Sequence, residues 1–321
     1  MIKYFIGPMS KNVVDAVMEY SSEKQIKFGF IPSRRQVAFD GGYVNNWNTR
    51  QFRKYVGNFF IVRDHAGPNQ GKIQDDGYES LRHDCNNMNV IHIDPWKKYK
   101  DFNDGVDNTI KMIQYCYKIN PTLNYEIATE QSIRNFTPTE LETLLQTLEK
   151  RLKTDEFEMI KYCVIQSGTS LQNNTNTGNY DQNRLIEMIK VAKKFQLLSK
   201  EHNGDYLPTS LIKQKFHLGL DCINIAPEFG QIETKTYIQC INNDQQLINT
   251  YWKICYSSKK WTKWVNDSFN PYENKVELIN ICGHYVLSNE NFLNNIKNKF
   301  PNIDDKIKLN IKNKLDDLVD G

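Results

Sequence analysis

Long apolar runs are missing from this chain. No stretch of about eighteen apolar residues occurs, and Met1 is not followed by a charged-then-apolar leader. The expected location is therefore the cytoplasm, with no membrane span. A dominant charge of one sign is missing too: 41 Lys and Arg against 38 Asp and Glu leave +3, without the basic stripe that a nucleic-acid partner requires. The seven cysteines contain no C-x-x-C spacing, are odd in number and fall mostly inside apolar runs. Buried free thiols explain them better than a disulfide or zinc framework. Both common phosphate loops, G-x-G-x-x-G after a strand and G-x-x-x-x-G-K, are absent, and so is a nucleophile elbow. Dinucleotide, nucleoside-triphosphate and serine-hydrolase chemistry lose their usual support.

What is present is a repeated event, an apolar run of strand length that ends in polar, chemistry-capable side chains. Its clearest instance is the stretch from Asn58 to Gly71. Phe59 to Val62 is too short for a helix and lacks an amphipathic period, so it reads as a buried parallel strand. Asp64 and His65 then fall at its C-terminal end. Taken alone, the pair also fits a duller reading, in which Asp64 caps the next helix and His65 is a satisfied loop histidine. Recurrence argues otherwise, because such ends return at intervals of roughly thirty to forty residues, the length of a βα unit.

Strands are expected at 26–32, 59–62, 89–94, 124–130, 162–168, 195–202, 222–226 and 276–282. Helical patterns lie at 10–22, 49–56, 76–87, 103–119, 137–156, 181–193 and 229–256. This alternation predicts a (β/α)8 TIM barrel, a single domain over 1–321, with helical additions at about 229–275 and 287–321. The Asn/Thr-rich segment 171–180 is long enough for a flap. Catalytic and binding residues of such barrels sit at the C-terminal strand ends. The candidates there are Asp94, Glu130, Gln166, Ser167, Glu201, His202, Asn203, Asp205, Asn224 and Glu228. The loop 33–43 adds Arg34, Arg35 and Gln36 beside two glycines, a composition suited to an anionic ligand. Lys97 and Asn69 join them as substrate contacts. Two histidines on separate strand ends, with a glutamate and a glutamine between them, match a divalent-metal site, for which zinc fits best. His83, His92, His217 and His284 are read as structural.

Six segments in one order carry a resemblance: Arg-Gln-Val-x-x-x-Gly-Gly-Tyr (35–43), Asp-His-x-Gly-Pro-Asn (64–69), Ile-His-Ile-Asp (91–94), Ile-x-Thr-Glu (127–130), Val-Ile-Gln-x-Gly (164–168) and Glu-His-x-x-Asp-Tyr (201–206). In register over about 26–230, the chain resembles the GatZ/KbaZ-type subunit of class II tagatose-bisphosphate aldolase. The resemblance implies a metal-dependent barrel that cleaves or epimerises ketose phosphates through a metal-bound enediolate. It implies Asp64, with Glu130, as the acid/base carboxylates, and His65, His202 and Gln166 as the metal ligands. It also implies a small anionic sugar or sugar phosphate as substrate, a class II aldolase partner subunit or a homo-oligomer as assembly and, as the other role of the family, a non-catalytic subunit that stabilises a separate aldolase chain. The pattern departs from the family after Asp94 (Pro95-Trp-Lys-Lys98), after Glu130 (Gln131-Ser-Ile-Arg134) and at Gly283-His284, so the groups expected to hold the ends of the substrate differ.

Overall fold

A computed structural model describes residues 1–172 and 175–320. Its barrel strands are β1 (Tyr4–Ile6), β2 (Gly29–Phe30), β3 (Phe60–Ala66), β4 (Val90–Ile93), β5 (Asn124–Ile127) and β6 (Ile160–Ile165). After a small antiparallel hairpin, β7 (Leu171–Gln172) with β8 (Thr175–Asn176), the barrel continues with β9 (Leu198–Glu201) and β10 (Cys222–Ile225). Around the barrel the order is β1, β10, β9, β6, β5, β4, β3, β2, closed on itself, and every neighbouring pair is parallel. The fold is a (β/α)8 barrel. Its strands read as apolar runs because helices cover the outside and side chains fill the inside.

One strand of the expected eight is elsewhere. Segment 276–282 is the helix Lys275–Cys282, not a strand, and the missing strand is β1. Leu278, Ile279, Ile281 and Cys282 are buried, a spacing of one, three and four that gives one helical face. The helix lays that face against Pro227–Ile241 and Gln245–Ser258. β1 has only three residues, too few to display a period, yet Phe5 pairs with both Asn224 and Gly29 and joins the two ends of the sheet. Gly29 is needed there, since a Cβ would lie 2.5 Å from the Phe5 ring.

The C-terminal helix Ile303–Asp320 buries Ile307, Ile311, Leu315 and Leu318 and packs on the first helix, Lys11–Lys24, and on Pro227–Ile241. The Tyr4 hydroxyl donates to the Leu318 carbonyl at 2.5 Å. In the expected flap, residues 173 and 174 lie outside the described residues. All seven cysteines are free, and six of them are buried. No helix among the described residues is long and apolar enough to cross a membrane.

Inside the barrel the filling changes with height. Phe5, Val62, Val90 and Cys222 form an apolar layer. Above it, toward the C-terminal ends, lie Lys200, Glu126, His92 and His202, at most 4% exposed.

Candidate metal centre

β3 runs further than its apolar run implies, through Asp64 and His65 to Ala66. Against β4, Arg63 pairs with Ile91 and Ala66 with Ile93, so β3 carries one residue more than its partner over this step. Such a bulge re-aims the side chains beside it. His65 takes a left-handed backbone, φ 47°, and its N–H donates to His92 Nδ1 at 3.2 Å. Ala128 after β5 and Asn203 after β9 are left-handed as well, φ 71° and 62°. Non-glycine residues reach this region only when their surroundings hold them there, and such residues gather at functional sites.

Three imidazoles and a carboxylate converge at the mouth: Asp64, His65, His92 and His202 each offer a ligand atom within 4.8 Å of the others. The far side of each ring is fixed. His65 Nδ1 lies 2.7 Å from Asp94 Oδ2, His202 Nε2 lies 2.7 Å from Glu126 Oε1, and His92 Nε2 lies 2.9 Å from the Ala128 carbonyl. Each of these nitrogens is accordingly the N–H, which leaves His65 Nε2 and His202 Nδ1 as open lone pairs when the rings are neutral, while the His92 Nδ1 lone pair already accepts the His65 N–H. His65 Nε2 and His202 Nδ1 each stand 3.7 Å from Asp64 Oδ1. That oxygen is buried and has no hydrogen-bond partner. With both rings neutral, a buried carboxylate oxygen between two imidazole lone pairs is an unfavourable arrangement without a cation, whether a proton on His65 or a metal ion. Carboxylates behind metal-ligating histidines are the usual second layer of such sites. The residues fit a divalent ion.

The charges agree with the geometry. Burial works against a proton on His65, but Asp64, Asp94 and Glu130 outweigh it and raise its pKa to about 10. The ring is surrounded by negative charge that a cation answers. Burial opposes ionisation of Glu126, yet Lys200, at 2.7 Å, and then His202 and His92 hold it well below the usual carboxylate range. Asp94 is held low in the same way, against burial, by His65, His92 and the Trp96 N–H. For His92 burial wins, its pKa is lowered, and the ring is neutral.

The structure places the other expected residues unevenly. Asp94 serves the centre through His65 and also accepts from Gln70 Nε2 and Thr129 Oγ1. Glu130 lies close enough to act on the charge of His65, and its Oε1 accepts from Ser132. Gln166, expected as a ligand, has both ends of its amide engaged: Nε2 donates to the Thr129 and Arg134 carbonyls, and Oε1 accepts from the Phe136 N–H and from Arg184. Arg34 is buried and forks onto Asp75, with a further bond to the Gly67 carbonyl at 2.6 Å, so it braces the 67–75 loop. Gln36 is bonded to the Ser33 N–H and Met9 Sδ. Ser167 sits between Glu201 and Lys215. Asp205 accepts from the N–H groups of Ala226 and Glu228 at the start of the helix Pro227–Ile241, and burial with the Glu228 charge raises its pKa to about 8. Glu228 pairs with Lys314. Asn69 gives its carbonyl to Lys97 Nζ at 2.5 Å, Asn203 gives its own to Asn176, and Asn224 Oδ1 is buried without a partner.

His92, Glu126 and Lys200 were not among the expected site residues. The signal was period two: His92 shares a strand face with Asp94, Glu126 with Glu130, and Lys200 with His202. Gly67 also matters, because a Cβ there would lie 2.2 Å from the Asp94 carbonyl oxygen. Gly67→Ala must shift the backbone at residue 67 or at Asp94, and so disturb the carboxylate that orients His65. We expect zinc affinity, measured by chelator competition, to fall about 10- to 100-fold, as for loss of a second-layer carboxylate; an unchanged affinity would remove Asp94 from the site.

No protein-family model and no curated protein matches this sequence. Solved structures do. A probable tagatose 6 phosphate kinase from Sinorhizobium meliloti 1021 superposes with a TM-score of 0.76 at 13% identity, over 99% of both chains. The fructuronate-tagaturonate epimerase UxaE from Cohnella laeviribosi gives 0.65 at 10% identity, over 99% of this chain and 81% of that one. The YdjI aldolase from Escherichia coli K12 gives 0.55 at 11%, over 92% and 90%. At such identities the likeness establishes a shared barrel fold, one used by aldolases and by a sugar-acid epimerase.

Proposed function

We propose that this chain is a metal-dependent enzyme that acts beside the carbonyl of an open-chain ketose bearing an anionic group, by aldol cleavage or by epimerisation. One observation carries the reading: the unpartnered Asp64 Oδ1 stands between His65 Nε2 and His202 Nδ1, each ring backed by a buried carboxylate. His65 and His202 would hold the ion, with His92 and Asp64 in reach. Imidazole ligands suit zinc, and Asp64 beside them stays available for the proton. When bound, the ion supplies Lewis-acid polarisation of a carbonyl oxygen.

The chain's own groups do the rest. Asp64 is the carboxylate with a free lone pair at the mouth, so it takes and returns the proton; Glu130 is the reserve. Asp94 and Glu126 hold the two ligand rings in orientation, and Lys200 keeps Glu126 ionised. Cleavage and epimerisation both need one polarised carbonyl and one proton moved beside it, so the same residues serve either. The YdjI aldolase and the UxaE epimerase, which share the fold, support this substrate class. We place the protein in the cytoplasm, where its free thiols stay reduced.

The test is to incubate zinc-loaded protein with a panel of ketose phosphates and ketose acids and identify products by NMR. Turnover of at least one member by the chain alone is expected. Inert protein that becomes active only with a second chain would assign it the stabilising-subunit role instead.

A further inference from the structure

The connection after the helix Gln245–Ser258 brings two lysines to the same mouth. Lys260 Nζ lies 4.9 Å from the Tyr43 ring centre and 5.3 Å from that of Tyr285, and Lys263 Nζ lies 5.7 Å from Tyr285 and 4.2 Å from Trp264. Tyr43 and Tyr285 pack edge to face at 5.2 Å, so both ammonium groups border one aromatic pair. Arg35 is held next to it, because the Tyr43 N–H donates to the Arg35 carbonyl and the Arg35 charge acts on both phenols. Lys97, fixed by the Asn69 carbonyl, links this group to Asp94 and hence to the metal centre.

Among the described residues, none of Arg35, Lys260 and Lys263 has an ion-pair partner. Burial, and then Arg35, Lys260 and Lys97, all positive, push the Lys263 ammonium down to about 8. Lys260 and Lys97 are lowered by burial and then by Arg35. Like charges that border one aromatic pair make a positive field that an anion would relieve. Beside the pair, the His284 ring lies 4.0 Å from that of its neighbour Tyr285, tilted by 47°, is 2% exposed, and has no partner on either ring nitrogen. An unsatisfied buried imidazole beside unpaired cations points to a polar ligand.

We infer that Arg35, Lys260 and Lys263, with Lys97 at the inner edge, form a subsite for the phosphoryl group of the substrate. Three cations without a counter-charge match a dianion better than a single carboxylate. Arg34 takes no part, being committed to Asp75. The subsite deepens the ketose reading and rests on it for its biological meaning, but its test needs neither turnover nor a metal ion.

Binding of inorganic phosphate is measured by calorimetry at constant ionic strength, set with chloride, in three proteins: wild type, K260Q/K263Q, and His65→Ala/His202→Ala. Glutamine keeps the side-chain stems, and far-UV circular dichroism checks the fold. Wild type is expected to bind phosphate at least tenfold more tightly than K260Q/K263Q and than it binds acetate. The histidine variant is expected to stay within about threefold of wild type. Equal affinities in wild type and K260Q/K263Q would overturn the subsite, as would phosphate binding lost only with the histidines, which would place the anion at the histidine cluster. Acetate binding as tight as phosphate would overturn the phosphoryl assignment. Failure of the ketose panel with phosphate binding intact would count against the reaction and leave the subsite standing.

Discussion

Asp64→Asn is expected to lose about 10²- to 10⁴-fold in kcat on whichever ketose the wild type turns over, the usual consequence of removing a general acid/base. Asparagine keeps the shape of the carboxylate and removes its basicity. The imidazoles of His65, His92 and His202 remain, each with its outer nitrogen fixed, so zinc content should be nearly unchanged and KM should move little. Glu130→Gln is expected to be milder, because one Glu130 oxygen is already engaged by Ser132. The check is steady-state kinetics with metal analysis of the same samples. An active Asp64→Asn would move the proton-transfer role to Glu130, and a variant that lost its zinc would make Asp64 a ligand first.

The second large effect is on stability. Arg63 and Asp84 are both 0% exposed and meet through two bonds, Nε to Oδ2 at 2.9 Å and Nη2 to Oδ1 at 2.7 Å. Arg63 Nη1 also donates to the carbonyls of Pro32 and Val37. This one side chain ties β3, immediately before Asp64, to the helix Tyr78–Asp84 and to the loop that carries Arg35. Arg63→Met leaves a buried carboxylate without its cation and the Val37 carbonyl without its donor, while Pro32 keeps the Asp64 N–H, and should cost about 3–5 kcal/mol. Arg63→Met with Asp84→Leu removes both charges and should recover much of the loss. Urea unfolding of the three proteins decides it: a single variant within about 1 kcal/mol of wild type would show that the pair does not hold the strand.

How far the sequence could be read depended on what each residue was doing. The barrel was legible because strands buried on both faces must be apolar, and Asp64, His65 and His202 were legible because charged groups at the ends of such runs break that pattern. β1 was not: three residues have no period, and only closure of the sheet makes Tyr4–Ile6 a strand. The helix Lys275–Cys282 was misread because a short apolar run looks the same in either state until its partners are known. Polar type alone did not separate Arg34 and Gln166, which brace loops, from residues free to meet a ligand. His92, Glu126 and Lys200 were hidden for the opposite reason, since interior polar groups surrounded by apolar neighbours resemble core. Lys260 and Lys263 lie in a connection that no barrel rule assigns to the mouth, and only the packing of Tyr43 on Tyr285 brings them there.

The proposed metal centre would be held by His65 and His202, and metal analysis tests that assignment most directly. Wild-type protein exposed to zinc and then freed of excess by gel filtration is analysed by plasma mass spectrometry beside His65→Ala/His202→Ala. About one zinc per chain in the wild type and almost none in the double variant is the expected result, because removing both rings takes away two of the site's nitrogen donors. Equal zinc in the two proteins, or none in either, would contradict it.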